Sequence, residues 1–386
     1  MRERQFTDCV DIVGSSCKPF EGNRRYISTG AVTTDHIDES DVEIVDYKFR
    51  PSRADLVVEP ETLLFAKMQG TKKTLYVDKE NAENIYSTGF FALKAKSGVI
   101  STRCLYHLLG SASFLTQKDK NCSGATQKAI TNAGLKKIRV SIPDYQLQEA
   151  IADQLDKISS VIQMRRSELQ KLDDLVKARF VEMFGDPAQN PIKWVTKPLL
   201  EMGYCKNGMN FHSGDSGMEI HCLGVGDFKD YSVIDGTDYL PTISLSEEPS
   251  EESLLQDGDI VFVRSNGNKA LVGRCLVIYP HNTPTTYSGF CIRYRLTSDD
   301  VNTAYLLRVL KADSMRKKMT GRGANIQNLN QQTLATLNIP IPPMELQQQF
   351  AAFVKQIDKS KFVESIHVLK LIKEAIAKEV SHDRIR

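Results

Sequence analysis

The chain lacks long apolar runs, paired cysteine motifs and an excess of either charge, and each absence removes a class of function. No run of about 18 apolar residues occurs, which excludes a helical membrane span. The start, MRERQF, is polar and has no apolar core of a secretory leader. Eight cysteines are scattered, and none forms a C-x-x-C pair. Free thiols in a reduced, cytoplasmic protein are therefore expected. The net charge is +2, so bulk charge does not announce a partner. A basic face offset by acidic residues elsewhere stays open.

Catalytic signatures are missing as well. There is no Gly-x-x-x-x-Gly-Lys-Ser/Thr loop, no Gly-x-Ser-x-Gly elbow and no Asp/Asn-Pro-Pro-aromatic sequence of an amino-methyltransferase. Leu223-Gly224-Val225-Gly226-Asp227 looks faintly like a cofactor loop, but Gly226 corresponds to Gly30, so a repeated structural turn is expected. His212, His221 and Cys222 have no second ligand pair at metal spacing, and no metal site is expected. No resident cofactor and no intrinsic catalysis are expected.

What is present is a repeat. Residues 123–186 recur within 321–386 at an offset of 199. Gly124-Ala125 becomes Gly323-Ala324, Leu135 becomes Leu334, and Ile142-Pro143 becomes Ile341-Pro342. Leu147-Gln148 becomes Leu346-Gln347, Ala152 becomes Ala351, and Lys171-Leu172 becomes Lys370-Leu371. The similarity continues more weakly upstream, where Tyr106 and Leu108 match Tyr305 and Leu307. At 386 residues, with 41% hydrophobic and 25% charged residues, two ordinary globular domains are expected.

Short apolar runs bounded by turn residues read as strands: Tyr26-Ile27, Thr62 to Ala66, Thr74 to Val77 and Phe90 to Leu93. Asp259 to Val263 echoes Leu63 to Ala66. One helix is expected from Arg103 to about Lys118. Each unit ends at a proline stop, Ile142-Pro143 or Ile341-Pro342-Pro343, which favours a sharp helix start. The first long helix is expected from about Tyr145 to Phe184, with Gly185 and Pro187 closing it. The second starts near Met344. Ile151, Leu155, Ile158, Ile162, Leu169 and Leu172 form a heptad seam, matched by Phe350, Val354, Ile357, Val368 and Leu371. A helix of that length, roughly 55 Å, exceeds either small domain. An antiparallel pairing of the two helices is expected, in which Arg165 and Glu364 either meet near the middle or both simply face solvent. The fold class is thus α/β (α+β): two similar globular domains with mixed sheets, separated by two long antiparallel coiled-coil helices. The expected division is 1–144, 145–186, 187–343 and 344–386.

DNA reading needs Arg or Lys for phosphates and Arg, Lys, Asn or Gln for base edges. The loop after the central strand offers Lys67, Gln69, Lys72 and Lys73 in the first unit and Arg264, Asn266, Asn268 and Lys269 in the second. The loop before the exit strand offers Gln127 and Lys128, and Arg322, Asn325, Gln327 and Asn328. Arg24 and Arg25 are a third set. Solvated turns are the plain alternative for any one of these side chains.

With the two Gly-Ala-x₉-Leu…Ile-Pro segments at 124–143 and 323–342, each followed by Leu-Gln and a long helix, the chain resembles the specificity subunit of type I restriction–modification systems. Phe180 to Pro187, with Trp194 after it, resembles the junction of such subunits. The resemblance implies two target-recognition domains reading the halves of a bipartite double-stranded DNA site. It implies helices that serve as spacer and as docking surface for two DNA adenine methyltransferase subunits. Those partners would bind S-adenosylmethionine and methylate adenine N6. A restriction and translocase subunit, with ATP and Mg, is a further implied partner; a membrane is not. Lys361 and Glu364 stand where the first helix has Ile162 and Arg165, so the second seam is more polar. The rival reading is a coiled-coil adaptor of a related DNA-modification or defence complex, without direct base reading.

Overall fold

A computed structural model of the chain describes residues 2–125, 127–211, 217–228, 232–320 and 328–361. The chain divides into two compact units, residues 1–163 and 164–386.

In the first unit, Thr62–Ala66 is the central strand of a four-stranded antiparallel sheet, between Phe90–Ala95 and Thr74–Val77, with Val10–Val13 at one edge. All five of its residues are buried, because both sheet faces are covered. Leu63 and Phe65 face a core shared with the helices, whereas Leu64 and Ala66 face a second sheet. The period-2 geometry of a strand thus feeds two cores from one short run. The second sheet has five strands in the order Ser15–Ser16, Ala54–Val57, Ile85–Ser87, Asn23–Ile27 and Glu43–Asp46. Its Asn23–Ile27 and Ile85–Ser87 strands run parallel.

The second unit repeats the plan. Asp259–Val263 is fully buried between Cys291–Leu296 and Cys275–Tyr279, and Ile260 and Phe262 face the helix side. Val261 and Val263 face the other core. Met218–Leu223 and Thr285–Tyr287 form the parallel pair of its second sheet.

Each unit also closes on itself. Arg2–Gln5 pairs antiparallel with the exit strand Arg139–Ile142, and Thr196–Pro198 pairs likewise with Asn338–Pro340. Entry and exit are therefore adjacent, and the chain leaves each unit directly into a helix.

The single helix expected from Arg103 to Lys118 is instead two, Thr102–Gly110 and Ala112–Lys120. Ser111 breaks it: its backbone is extended, with ψ 147°, and its hydroxyl accepts from Phe114 N to cap the second helix. A local apolar period spans the break because both helices pack on the same core. The second unit has the same break at Ala312.

The long helix runs over Tyr145–Phe184, 40 residues, and Gly185 at φ 71° ends it. The boundary between the two compact units falls inside this helix. Residues 344–361 are also helical. In the second unit these helices are antiparallel: Phe180 and Phe184 pack on Phe350, whereas Asp173 meets Lys361 at 2.5 Å. Phe350 and Ile357 are buried, and Val354 and Leu172 pack against the same core. Leu169 is half-buried, as are Ile151, Leu155, Ile158 and Ile162 in the first unit. Lys361, expected to weaken the seam, forms an ion pair at its edge. Arg165 pairs with Glu168 on its own helix at 2.6 Å. Glu364, Val368 and Leu371 lie outside the described residues.

Candidate nucleic-acid interface

The two loops singled out in the first unit lie far apart in sequence and meet in space. Lys67 N donates to Gly89 O at 2.9 Å as the central strand ends, and Lys67 O accepts from Ile130 N at 2.9 Å. Met68 bridges Ala129, and Gln69 N donates to Lys128 O at 2.9 Å. The second loop is the tip of a short hairpin in which Cys122–Ser123 pairs with Ala129–Ile130. Gly124, at φ 134°, is required there: an added Cβ would lie 2.4 Å from Gln127 O.

The second unit builds the same junction from different side chains. Arg264 N donates to Phe290 O at 2.8 Å, and Arg264 O accepts from Leu329 N at 2.8 Å. Ser265 bridges Asn328, as Met68 bridges Ala129. The backbone platform is thus common to the two units.

The side chains on it divide sharply. Lys67 points back into the fold: Nζ donates to Thr88 O at 2.8 Å and lies 4.5 Å from the Phe91 ring centroid, and burial pulls its pKa down. Lys73 Nζ donates to Thr29 O at 2.7 Å. Gln69, Lys72, Gln127 and Lys128 are exposed. Gln69 Nε2 reaches Asp119 O at 3.3 Å. Arg24 lies along Phe20, 4.7 Å from the ring centroid, and Arg25 is paired with both Glu39 oxygens at 2.7 and 2.9 Å. Both arginines sit on the strand Asn23–Ile27. In the second unit, Asn266 Oδ1 accepts from Asn268 N and Asn268 Oδ1 accepts from Ala270 N, so both carboxamide oxygens shape the loop. Lys269 and Asn328 are exposed and Arg264 is half-buried. Arg322, Asn325 and Gln327 lie outside the described residues.

Two features carry no warning in local sequence, and a third is signalled only by the repeat. Phe290 is 61% exposed on the second platform, where the first has Gly89. Lys118 reaches Met68 of the first platform from the helix Ala112–Lys120, and Arg316 reaches Ala270 and Val272, at the far end of the second loop, from Asp313–Thr320. The third feature is a latch. Gln148 is fully buried; its Oε1 accepts from Ser101 N at 2.7 Å, and Nε2 donates to Val99 O at 2.9 Å and Pro143 O at 3.1 Å. Gln347 repeats this on Asn302 N at 2.8 Å, Asp300 O at 3.1 Å and Pro342 O at 2.8 Å. The repeated Leu-Gln was the legible signal, because a polar residue kept at the same offset among apolar matches asks for a buried role.

His221 Nδ1 bonds Leu240 O at 2.8 Å, and His212 lies outside the described residues. No group of three potential metal ligands occurs among the described residues. Gly224 N donates to Asp227 Oδ2 at 2.8 Å, which closes a structural turn. All eight cysteines are unpaired. No helix among the described residues is long and apolar enough to cross a membrane.

Two α/β units of one plan thus carry the same backbone junction with different side chains. The family model of the type I restriction modification DNA specificity domain matches residues 12–173 and 226–373, and the chain belongs to that family. It is 26% identical over 325 residues to the StySPI specificity subunit of Salmonella potsdam, covering 78% of this chain and 68% of that protein. It is 22% identical over 321 residues to the EcoKI specificity subunit of Escherichia coli K12, with the same shares covered. A solved type I restriction–modification S subunit from M. genitalium shares the fold, with TM-score 0.50 and 14% identity, over 97% of this chain and 94% of that one.

Proposed function

We propose that this chain reads a bipartite double-stranded DNA site and positions two methyltransferase subunits for adenine N6 methylation. Residues 1–144 and 187–343 each read one half. The helices at 145–186 and 344–386 act as spacer and docking surface. S-adenosylmethionine belongs to the methyltransferase, and ATP and Mg to a restriction subunit where one joins.

The observation that carries this reading is the repeated platform. The same backbone junction presents Gln69, Lys72, Gln127 and Lys128 in one unit and Arg264, Asn266, Asn268 and Asn328 in the other. A common scaffold with different side chains suits two readers of different sequence. Lysines at exposed positions serve phosphates, and the asparagine amide N–H groups serve base acceptors. Lys67 and Lys73, which donate to carbonyls of their own fold, support the platform rather than touch DNA, and Arg25 is held in a surface ion pair with Glu39.

The test is to express the full chain with a candidate type I methyltransferase subunit in a methylation-free host and to map N6-methyladenine. A single bipartite motif with a fixed gap, seen only with this chain, supports the reading. Methylation that is unchanged without the chain refutes it and leaves the adaptor reading. Deleting one heptad from the exposed middle of the long helix, about 10 Å of rise, should shorten the gap or abolish recognition. An unchanged gap would remove the spacer role.

A further inference from the structure

The loop Lys67 to Lys73 has no ladder of its own beyond the Met68–Ala129 bridge, yet it is gripped from beneath. Lys118, on the helix Ala112–Lys120, is fully buried. Its ammonium donates to Met68 O at 2.9 Å and Thr71 O at 2.7 Å, with Thr71 Oγ1 at 3.5 Å. Asp119, the next residue, accepts from Gly70 N at 3.0 Å and lies 3.3 Å from the Lys118 ammonium. The second unit holds its loop from the matching helix, Asp313–Thr320. Arg316 Nη2 donates to Ala270 O, and to Val272 O at 3.4 Å. The two grips use different cations, one residue out of register with the 199 offset, on different carbonyls.

A buried ammonium is expensive to desolvate, so filling the space beneath the loop does not by itself call for a lysine. What a cation adds is donors that tie loop carbonyls to the helix: Thr71 O, and Met68 O, which otherwise accepts only from Thr71 within the loop, through Oγ1 at 2.6 Å and N at 3.4 Å. Specificity depends on holding contacting side chains within a fraction of an ångström, and a loop ordered before binding spends less free energy on binding. We infer that Lys118 and Arg316 are positioning residues for DNA reading, each fixing the loop of its own unit and so the base preference of one half-site. The inference rests on the reading of these loops as DNA-facing.

The test uses the methylation assay with the full chain and its methyltransferase, comparing K118M and R316M with the parent and following thermal unfolding of each variant in parallel. K118M should relax one half of the motif, lowering discrimination against single-base mismatches there by about tenfold or more, and leave the other half intact. R316M should relax the opposite half. An unchanged motif in both variants overturns the inference, as does equal degradation of both halves by either one. Should K118M give no methylation because its unit does not fold, R316M decides, since its side chain is only half-buried. A parent chain that yields no bipartite motif refutes the DNA-reading proposal itself, which is a separate result.

Discussion

Replacing Gln347 with methionine isolates the energy of the helix latch. Methionine is close to glutamine in length and volume, so the cavity contribution is small. The substitution removes one acceptor, for Asn302 N, and two donated bonds, to Asp300 O and Pro342 O. The site is fully buried, so water does not replace them. A buried polar group left unpaired costs about 1–3 kcal/mol, so one N–H and two carbonyls, taken at the low end of that range, total about 3 kcal/mol. Asn302 also caps the helix Thr303–Lys311, so the loss falls where that helix and the helix at 344–361 start. Q148M should cost a similar amount through Ser101 N, Val99 O and Pro143 O. The assay is urea unfolding of the full chain followed by circular dichroism, fitted with two transitions because two units need not unfold together. Q347M should move one transition and Q148M the other, and the double variant should be additive. A change under about 0.5 kcal/mol, the scale of an ordinary surface substitution, would refute the latch as a source of stability.

Lys72→Gln and Lys128→Gln should each weaken DNA binding evenly across sequences and lower the salt slope by about one, read from affinity titrations at several salt concentrations. A slope equal to that of the parent would count against both as phosphate contacts. Phe290→Ala removes a side chain that is 61% exposed, so unfolding should not change, while the half-site read by the second unit should lose discrimination at one base. Burial pushes the thiols of Cys205 and Cys222 up to about 12 and that of Cys275 up to about 11. At pH 8 these should resist alkylation in the native chain and react on unfolding; rapid native labelling of Cys222 would show that the site opens. His281 is raised by its hydrogen bond from the ring to Asp235, with Asp257 adding to it. A raised histidine contributes its stability fully below the unfolded value, about 6.5, and loses it as pH rises through the folded value. H281N should therefore flatten the fall in urea midpoint between pH 5.5 and 8, and an identical fall in parent and variant would refute the pairing.

Sequence alone determined the features that depend on near neighbours and on repetition. Gly185 and the Pro143 entry fix the bounds of the Tyr145–Phe184 helix through backbone conformation, which is local. The buried runs Thr62–Ala66 and Asp259–Val263 declare central strands by composition. The 199 offset declares two units of one plan, since repeated residues fold by repeated physics. Tertiary structure decided what depends on contacts across long separations. It brought Met68 to Ala129 and Ser265 to Asn328, and it turned Lys67 and Lys73 inward while leaving Lys72 and Lys128 exposed. A lysine reads the same in sequence whether its ammonium meets water or a buried carbonyl. Only the packing around it supplies that carbonyl, and for Lys118 it comes from Met68 and Thr71, about fifty residues away.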